Sequence, residues 1–381
     1  MLLPPSRHYT AEHAAFRDMV RRFVVREIAP FADAWDEAGE FPRELYRQAA
    51  DAGLLGIGFP EEYGGVNDDP FLRLILFEEI AWCGSGGVGA SLFSHTIALP
   101  PIAAAGPAEL QARVLPPILA GTAISALAVT EPGGGSDVAR LATSARRDGN
   151  AYVVNGSKTF ITSGMRADYY TVAVRTGGPG AAGVSLLLIE RETPGFARTP
   201  LKKMGWWASD TATLHFHNCR VPVENLIGGE GQGFPIIMKN FNNERLGLAA
   251  SACGAAMVCY HDALEWARQR HTFGQRLADH QVIRHKLIDM AERIEATRAW
   301  LDDLAARVAA GDSPVAQIAM VKNFATRSMQ SCADSAVQIL GGMGYMRGSR
   351  VERIYRDVKV MMIGGGAEEV MKDLAARQLG I

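Results

Sequence analysis

"TAISALAVTEPGGGSD" (residues 122–137) is where the chain changes texture. Before it, apolar residues recur at helical spacing, and the block closes on Gly121. Within it, a short apolar run leads into a glycine-rich turn. Glycines let a backbone approach a ligand closely and expose its N–H groups. Thr130 and Ser136 add hydroxyls there, although a plain surface turn fits the same composition. A helix after this loop would make it the start of a βαβ unit. More strand follows instead, which argues against a Rossmann domain.

Downstream, "DGNAYVVNGSKTFIT" (148–162) carries turn signals at Asp148-Gly149-Asn150 and at Asn155-Gly156, a hairpin pattern. "YYTVAVRT" (169–176) and "GVSLLLIE" (183–190) read as strands. In "TATLHFHNCRV" (211–221), Thr211, Thr213, His215 and His217 alternate with Ala212, Leu214 and Phe216, the period of a half-buried strand. Upstream, Phe16, Met19, Val20 and Phe23 follow Thr10 at helical spacing. Thr10, Glu12 and His13 make a cap region but not a full capping box. Pro30 predicts a bend, and Pro42 a short helix ending near Gly53. "DDPFLRLILFEEIAWCG" (68–84) predicts a helix stopped by Gly84, with two more over 88–105 and 107–120.

After "GGEGQGF" (228–234), helical periodicity returns. Leu246, Ala249, Cys253, Met257, Tyr260, Leu264 and Ala267 mark one long helix. Ile283, Leu287, Met290, Ile294, Leu301, Leu304 and Val308 mark a second; Val315, Ile318, Phe324, Met329, Cys332, Val337 and Leu340 mark a third. A last helix begins near Ala367. Such helices joined by short links predict an antiparallel four-helix bundle. The expected fold is α+β: a helical domain over 1–121, a β-barrel-like domain over 122–230 and the bundle over 231–381.

Bulk properties fit an enzyme-sized globular chain. It has 381 residues, 48% hydrophobic and 21% charged, with a formal net charge of −2. That balance favours neither nucleic acid nor an anionic membrane. The start lacks a secretory h-region and no apolar run is long enough to span a bilayer, so the expected location is cytoplasmic. Five scattered cysteines without a CxxC pair read as buried thiols. His215 and His217 share a strand face with no third ligand in view, so no metal is expected.

Other motifs have local readings. "GGEGQG" (228–233) fits a helix-start loop and "GGMGY" (341–345) a tight interhelical turn. In "RQRHTFGQRL" (268–277), arginines suit a helix C-terminus and Gly274 can cap it; an arginine-lined phosphate site is the sharper alternative. Glu244-Arg245 in "FNNERLGLAA" (241–250) reads as a solvated pair or as a carboxylate facing a cleft.

Taken in order, "AVTEPGGGSDV", "NGSKTFITSG", "KMGWWASDTATLHF", "RVPVENLIGGEGQGF", "RQRHTFGQRLADHQ", "AVQILGGMGY" and "VERIYRDVKV" resemble the acyl-CoA dehydrogenase family over nearly the whole chain. The resemblance implies the same three-part fold and FAD as cofactor. Around the flavin it implies Leu127, Val129, Thr130, Ser136, Phe160 and Thr162. At the adenosine and pyrophosphate end of a neighbouring subunit's FAD it implies Arg270, Thr272, Phe273, Gln281, Gln338, Gly341 and Gly342, with Ala367 and Glu369 beside the cofactor. At least a dimer follows, and by family habit a homotetramer. The implied substrate is acyl-CoA, with Ser136, Phe241, Asn242 and Arg245 near it, and the electron acceptor is an electron-transfer flavoprotein.

The implied reaction removes a proton from Cα while hydride passes from Cβ to flavin N5. Aligned on the family, "YRDVKVMMIGGGAEE" (355–369) puts Gly365 in the usual glutamate position. Branches resembling the long-chain and isovaleryl-CoA enzymes carry the base on the first bundle helix in an "ERL" context, and this chain has one. Glu244 is therefore the expected base, and the Gly365 N–H the expected donor to the thioester carbonyl. Glu131, Glu368 and Glu369 are rival carboxylates. A carrier-protein thioester as substrate, oxygen as electron acceptor, and a catalytically silent scaffold are the competing readings.

Overall fold

The computed structural model describes residues 8–66 and 69–381. The N-terminal part is eight helices: α1 (Ala11–Phe23), α2 (Ala32–Ala38), α3 (Glu44–Asp51), α4 (Pro70–Ile80), α5 (Gly86–Leu92), α6 (His95–Ala98), α7 (Pro100–Ala105) and α8 (Ala108–Leu119). Contrary to expectation, α1 opens on a full capping box. The Thr10 hydroxyl accepts from the His13 N–H at 3.4 Å, and His13 Nδ1 accepts from the Thr10 N–H at 2.9 Å. An imidazole at N3 thus does what Glu or Gln does in the usual motif. The expected helix over 88–105 breaks into α5, α6 and α7; Pro100, which has no N–H with which to continue α6, accounts for the second break.

The middle part is a sheet of β1 (Ser125–Ala128), β2 (Ser144–Asp148), β3 (Ala151–Thr162), β4 (Tyr169–Arg175), β5 (Val184–Glu190), β6 (Phe196–Pro200), β7 (Thr211–Pro222) and β8 (Leu226–Ile227). Its order is β6-β7-β3-β2-β4-β5-β8, with β1 pairing β4 in parallel. On β7 the alternation is as read: Ala212, Leu214 and Phe216 are buried, and His215 and His217 exposed. Asp148-Gly149-Asn150 is a turn, but Asn155-Gly156 is not. There β3 runs on through a bulge, with Gly156 at φ 143°, where an added Cβ would lie 2.7 Å from the Thr143 Cα.

The C-terminal part is α9 (Gly233–Gln269), a small hairpin of β9 (His271–Thr272) and β10 (Gln275–Arg276), then α10 (Gln281–Ala309), α11 (Val315–Leu340), α12 (Gly342–Tyr345), α13 (Arg350–Ile363) and α14 (Glu368–Leu379). Gly274 does not cap α9. It sits at φ 82° beside Phe273 at φ 50°, a pair of positive φ values at the hairpin tip. The periodicity missed α13. Its stripe of Val351, Ile354, Val358 and Met361 is interrupted by two buried charges, Arg353 and Asp357.

Those charges join the three parts. Asp357 accepts from the Trp206 N–H at 2.6 Å and the Gly86 N–H at 3.0 Å. Arg353 donates to the Gly84 carbonyl at 2.7 Å and pairs with Asp33, while Arg356 reaches Asp36 at 3.0 Å. Gly86 leaves room for this: a Cβ there would lie 2.3 Å from Trp206 Nε1. The five cysteines are buried and unpaired. Among the described residues no single helix is long and apolar enough to cross a membrane; one bent pair, α5 with the stretch His95–Ala105, passes by length and composition only.

Candidate active site

The first turns of α9 lie against the sheet. A Cβ on Gly233 would touch the Ser185 backbone at 2.6 Å, so only glycine lets the helix start this close. Asn240 donates to the Ile97 carbonyl at 2.7 Å. Ile237 and Phe241 join Leu127 and Val129 in one hydrophobic cluster. The first turns of α9 and the end of β1 thus contribute to one apolar layer.

Glu244 is half-buried as a residue, but its carboxylate is enclosed, and Oε2 is buried without a hydrogen-bond partner. Burial pushes its pKa up to about 7, against the pull of the Arg245 and Lys322 charges. Across from it lies the glycine loop. An added Cβ on Gly365 would stand 2.6 Å from Leu248 Cδ1 and 3.9 Å from Glu244 Oε1. The carboxylate therefore occupies space next to the position that a side chain at 365 would fill.

The loop is held through its carbonyls. Arg245, buried, donates from Nε to the Gly365 carbonyl at 3.0 Å and from Nη1 to Asn242 Oδ1 at 3.0 Å, with its guanidinium 5.8 Å from the Phe241 ring. Lys322 on α11, fully buried, donates to the Gly366 carbonyl at 2.7 Å and the Met362 carbonyl at 3.3 Å. Asn323 holds the Glu368 carbonyl at 2.9 Å. The Gly365 N–H takes no hydrogen-bond partner among the described residues. Sequence reasoning missed Lys322, Asn323 and Leu248. A signal for Lys322 existed, a lone charge at an inward position of "AMVKNFAT" (319–326).

A second set gathers where β1 meets β3. The Thr159 N–H donates to the Thr130 carbonyl at 2.8 Å, and buried Lys158 donates to the Val129 carbonyl at 3.0 Å and to Glu131 Oε1 at 2.8 Å. Glu131 also accepts from the Ala142 and Thr143 N–H groups at 2.6 and 2.9 Å. Burial opposes its charge, but Lys158 and these donors outweigh it and hold the carboxyl below its ordinary range. Glu131 is thus a structural anchor for the 131–143 loop, on which Ser136 is exposed. Between Thr159 and half-buried Thr162, the strand irregularity holds Phe160 at φ 61° with 70% of its surface exposed. A phenyl ring in a strained backbone and facing outward calls for a functional reason.

The third set is elsewhere. Arg270, Gln281, Gln338, Gly341 and Gly342 are exposed, Thr272 is half-buried and Phe273 is 99% exposed, all around the β9–β10 hairpin and the end of α11. From Glu244 to the end of α9 at Gln269 is about 38 Å of helix. Within one chain this set cannot share a ligand with the loop at Gly365. Ala367 is half-buried at the N-cap position of α14, with no side-chain cap, and Glu369 is exposed in the first turn. Glu368, the rival carboxylate, pairs with Lys372 at 2.7 Å and Arg327 at 3.5 Å. Among the described residues no three His, Cys, Asp or Glu side chains are grouped to hold a metal.

The loop geometry makes a first prediction. Gly365→Glu is expected to destabilise the fold. The residue needs φ 67° and collides with Leu248, so thermal unfolding shows a loss of about 1–3 kcal/mol. Adding Leu248→Ala recovers the packing part and leaves the backbone part. Full stability of the Gly365→Glu protein would refute this account.

Comparison with known proteins places the chain. Models of the N-terminal, middle and C-terminal domains of acyl-CoA dehydrogenases match residues 10–122, 126–219 and 231–380. The mitochondrial long-chain specific acyl-CoA dehydrogenase of Rattus norvegicus is 37% identical over 377 residues, 98% of this chain and 87% of its own. An acyl-CoA dehydrogenase of Bacillus subtilis is 39% identical over 375 residues, 98% and 99% of the two chains. A solved structure from Mycobacterium abscessus, called a "probable acyl CoA dehydrogenase", is 50% identical with a TM-score of 0.96, covering 97% of this chain and 99% of that one.

Proposed function

This chain belongs to the acyl-CoA dehydrogenase family of FAD-dependent oxidoreductases, and from that premise we propose that it desaturates acyl-CoA thioesters at Cα–Cβ with Glu244 as the base. The observation that carries the assignment is the unpartnered, enclosed Glu244 carboxylate beside the glycine loop. A group with its pKa near neutrality can take a proton from carbon and release it to water later. A surface carboxylate of ordinary acidity would be a much weaker base.

Each neighbouring residue has a task. The Gly365 N–H donates to the thioester carbonyl, where charge accumulates as the α-proton leaves. Arg245 secures the loop by its carbonyl and leaves that N–H available. Phe241 and Asn242 line the approach on the same helix, and Ser136 borders it from the sheet side. When bound, FAD supplies the acceptor for the hydride that leaves Cβ.

Support for FAD comes from the exposed Phe160 ring, a flat apolar face held at positive φ on the strand that carries Thr162 and next to Thr159, whose N–H bonds the Thr130 carbonyl. On this reading Leu127, Val129 and Ser136, from the end of β1 and the loop after it, complete the set. Arg270, Thr272, Phe273, Gln281, Gln338, Gly341 and Gly342 would hold the adenosine end of the FAD of a second copy, which their distance along α9 from Glu244 requires. Ala367 and Glu369 stand at the edge of the loop. On this reading the protein is at least a dimer, a homotetramer by family habit, and passes electrons to an electron-transfer flavoprotein.

Anaerobic flavin bleaching by a panel of acyl-CoA thioesters of varied length and branching tests the assignment. Bleaching by one chain class is expected. Bleaching only by a carrier-protein thioester would move the substrate to the carrier, and no bleaching by any thioester would leave a silent scaffold.

A further inference from the structure

We propose that Lys322 is a positioning residue for proton abstraction, fixing the glycine loop from the α11 side and setting the charge balance under which Glu244 accepts a proton. The inference rests on Glu244 as base, yet its central claim, that the lysine governs the carboxyl, can be tested without turnover.

The geometry makes Lys322 unusual. Lysine is almost never fully buried without a partner, and this one stands on the inward face of α11 where an apolar residue would pack. Its partners are two carbonyls on either side of the loop, Met362 at the end of α13 and Gly366 before α14. Between them Gly365 and Gly366 sit at φ 67° and 116°, conformations that stay open to many alternatives unless something holds them. Arg245 grips the same loop from α9. Cations on two helices thus hold the carbonyls of Met362, Gly365 and Gly366 while the Gly365 N–H stays uncommitted.

The charges around Glu244 are few. Arg245 stands beside it on α9 and Lys322 on α11; Glu368, at the start of α14, bears on Lys322 but is itself paired with Lys372 and Arg327. Burial lowers the Lys322 pKa to about 8, opposed by Glu244. The same burial raises Glu244 to about 7. The ammonium therefore keeps the carboxyl from rising further, into a range where it would be protonated and idle at neutral pH.

Infrared titration of the FAD-loaded protein without substrate reads this directly. A carboxyl band absent from Glu244→Gln identifies the group. In wild type its midpoint lies near 7. In Lys322→Met, and in Lys322→Gln, which keeps a donor but no charge, the midpoint rises by about one pH unit or more. Lys322→Arg keeps it within about half a unit. The acid limb of flavin reduction by acyl-CoA moves in parallel, so that at neutral pH the neutral variants react about tenfold more slowly and recover as pH rises. An unmoved midpoint in a folded neutral variant overturns the proposal. So does failure of both neutral variants to fold, since the lysine would then serve the fold and not the base. A shifted midpoint with no flavin reduction in wild type leaves the coupling intact and removes the assigned reaction instead.

Discussion

Glu244→Gln lowers the rate of anaerobic flavin reduction by acyl-CoA by about a thousandfold while leaving thioester binding near wild type. Glutamine keeps the shape and cannot take the proton. The same change has the opposite sign on stability. In the folded protein burial pushes the Glu244 pKa up to about 7, above its ordinary value of 4.5. Below about pH 4 both folded and unfolded chains hold the proton and the group contributes nothing. As pH rises through the folded pKa, the unfolded chain has already released the proton and the native state carries an enclosed charge. At pH 8 the variant is therefore more stable than wild type by up to about 3 kcal/mol, and at pH 4 it is equal. Calorimetry at the two pH values checks it. A variant that is inactive but no more stable at pH 8 would mean that Glu244 is better solvated than its surroundings indicate.

Lys158→Ala is the second large effect. Lys158 is fully buried, with Glu131 and the Val129 carbonyl as its partners. Removing one partner of a buried pair leaves the other charge uncompensated, a loss of about 3–5 kcal/mol. The damage should be local in its first consequence. Glu131 ties the Ala142 and Thr143 amides to the end of β1, so the 131–143 loop loosens where Thr130 and Ser136 border the proposed flavin ring. Purified protein should contain markedly less flavin per chain and melt at lower temperature. Normal flavin content with normal melting would show that the pair is dispensable. Replacing both partners, Lys158→Met with Glu131→Gln, should recover much of the stability, because no charge is then stranded.

Several features were legible in the sequence because one physical signal dominated each. The alternation in β7 needed only a buried face and an exposed one. The three long helices repeat apolar residues for about six to seven turns each, whereas the pairing of glycine at 365 with glutamate at 244 came only through the family resemblance. Other features depend on contacts between distant segments. α13 was obscured because Arg353 and Asp357 are buried by partners near residues 33, 84, 86 and 206, which no local period reveals. Gly156 reads as a turn residue until the approach of Thr143 shows that a bulge needs it. Gly274 reads as a helix cap until the hairpin appears. Lys322 is a single letter whose role depends on carbonyls 40 and 44 positions away.

The Asp357 junction limits how freely this molecule can be recombined. Three separate family models match three stretches of the chain, which invites their treatment as interchangeable modules. Yet one carboxylate on the last third accepts hydrogen bonds from backbone amides in both of the others. A chimera that imports a foreign central segment inherits a different loop around Trp206 and leaves this acceptor half-filled. Splicing points should therefore be chosen so that Gly86, Trp206 and Asp357 travel from the same parent.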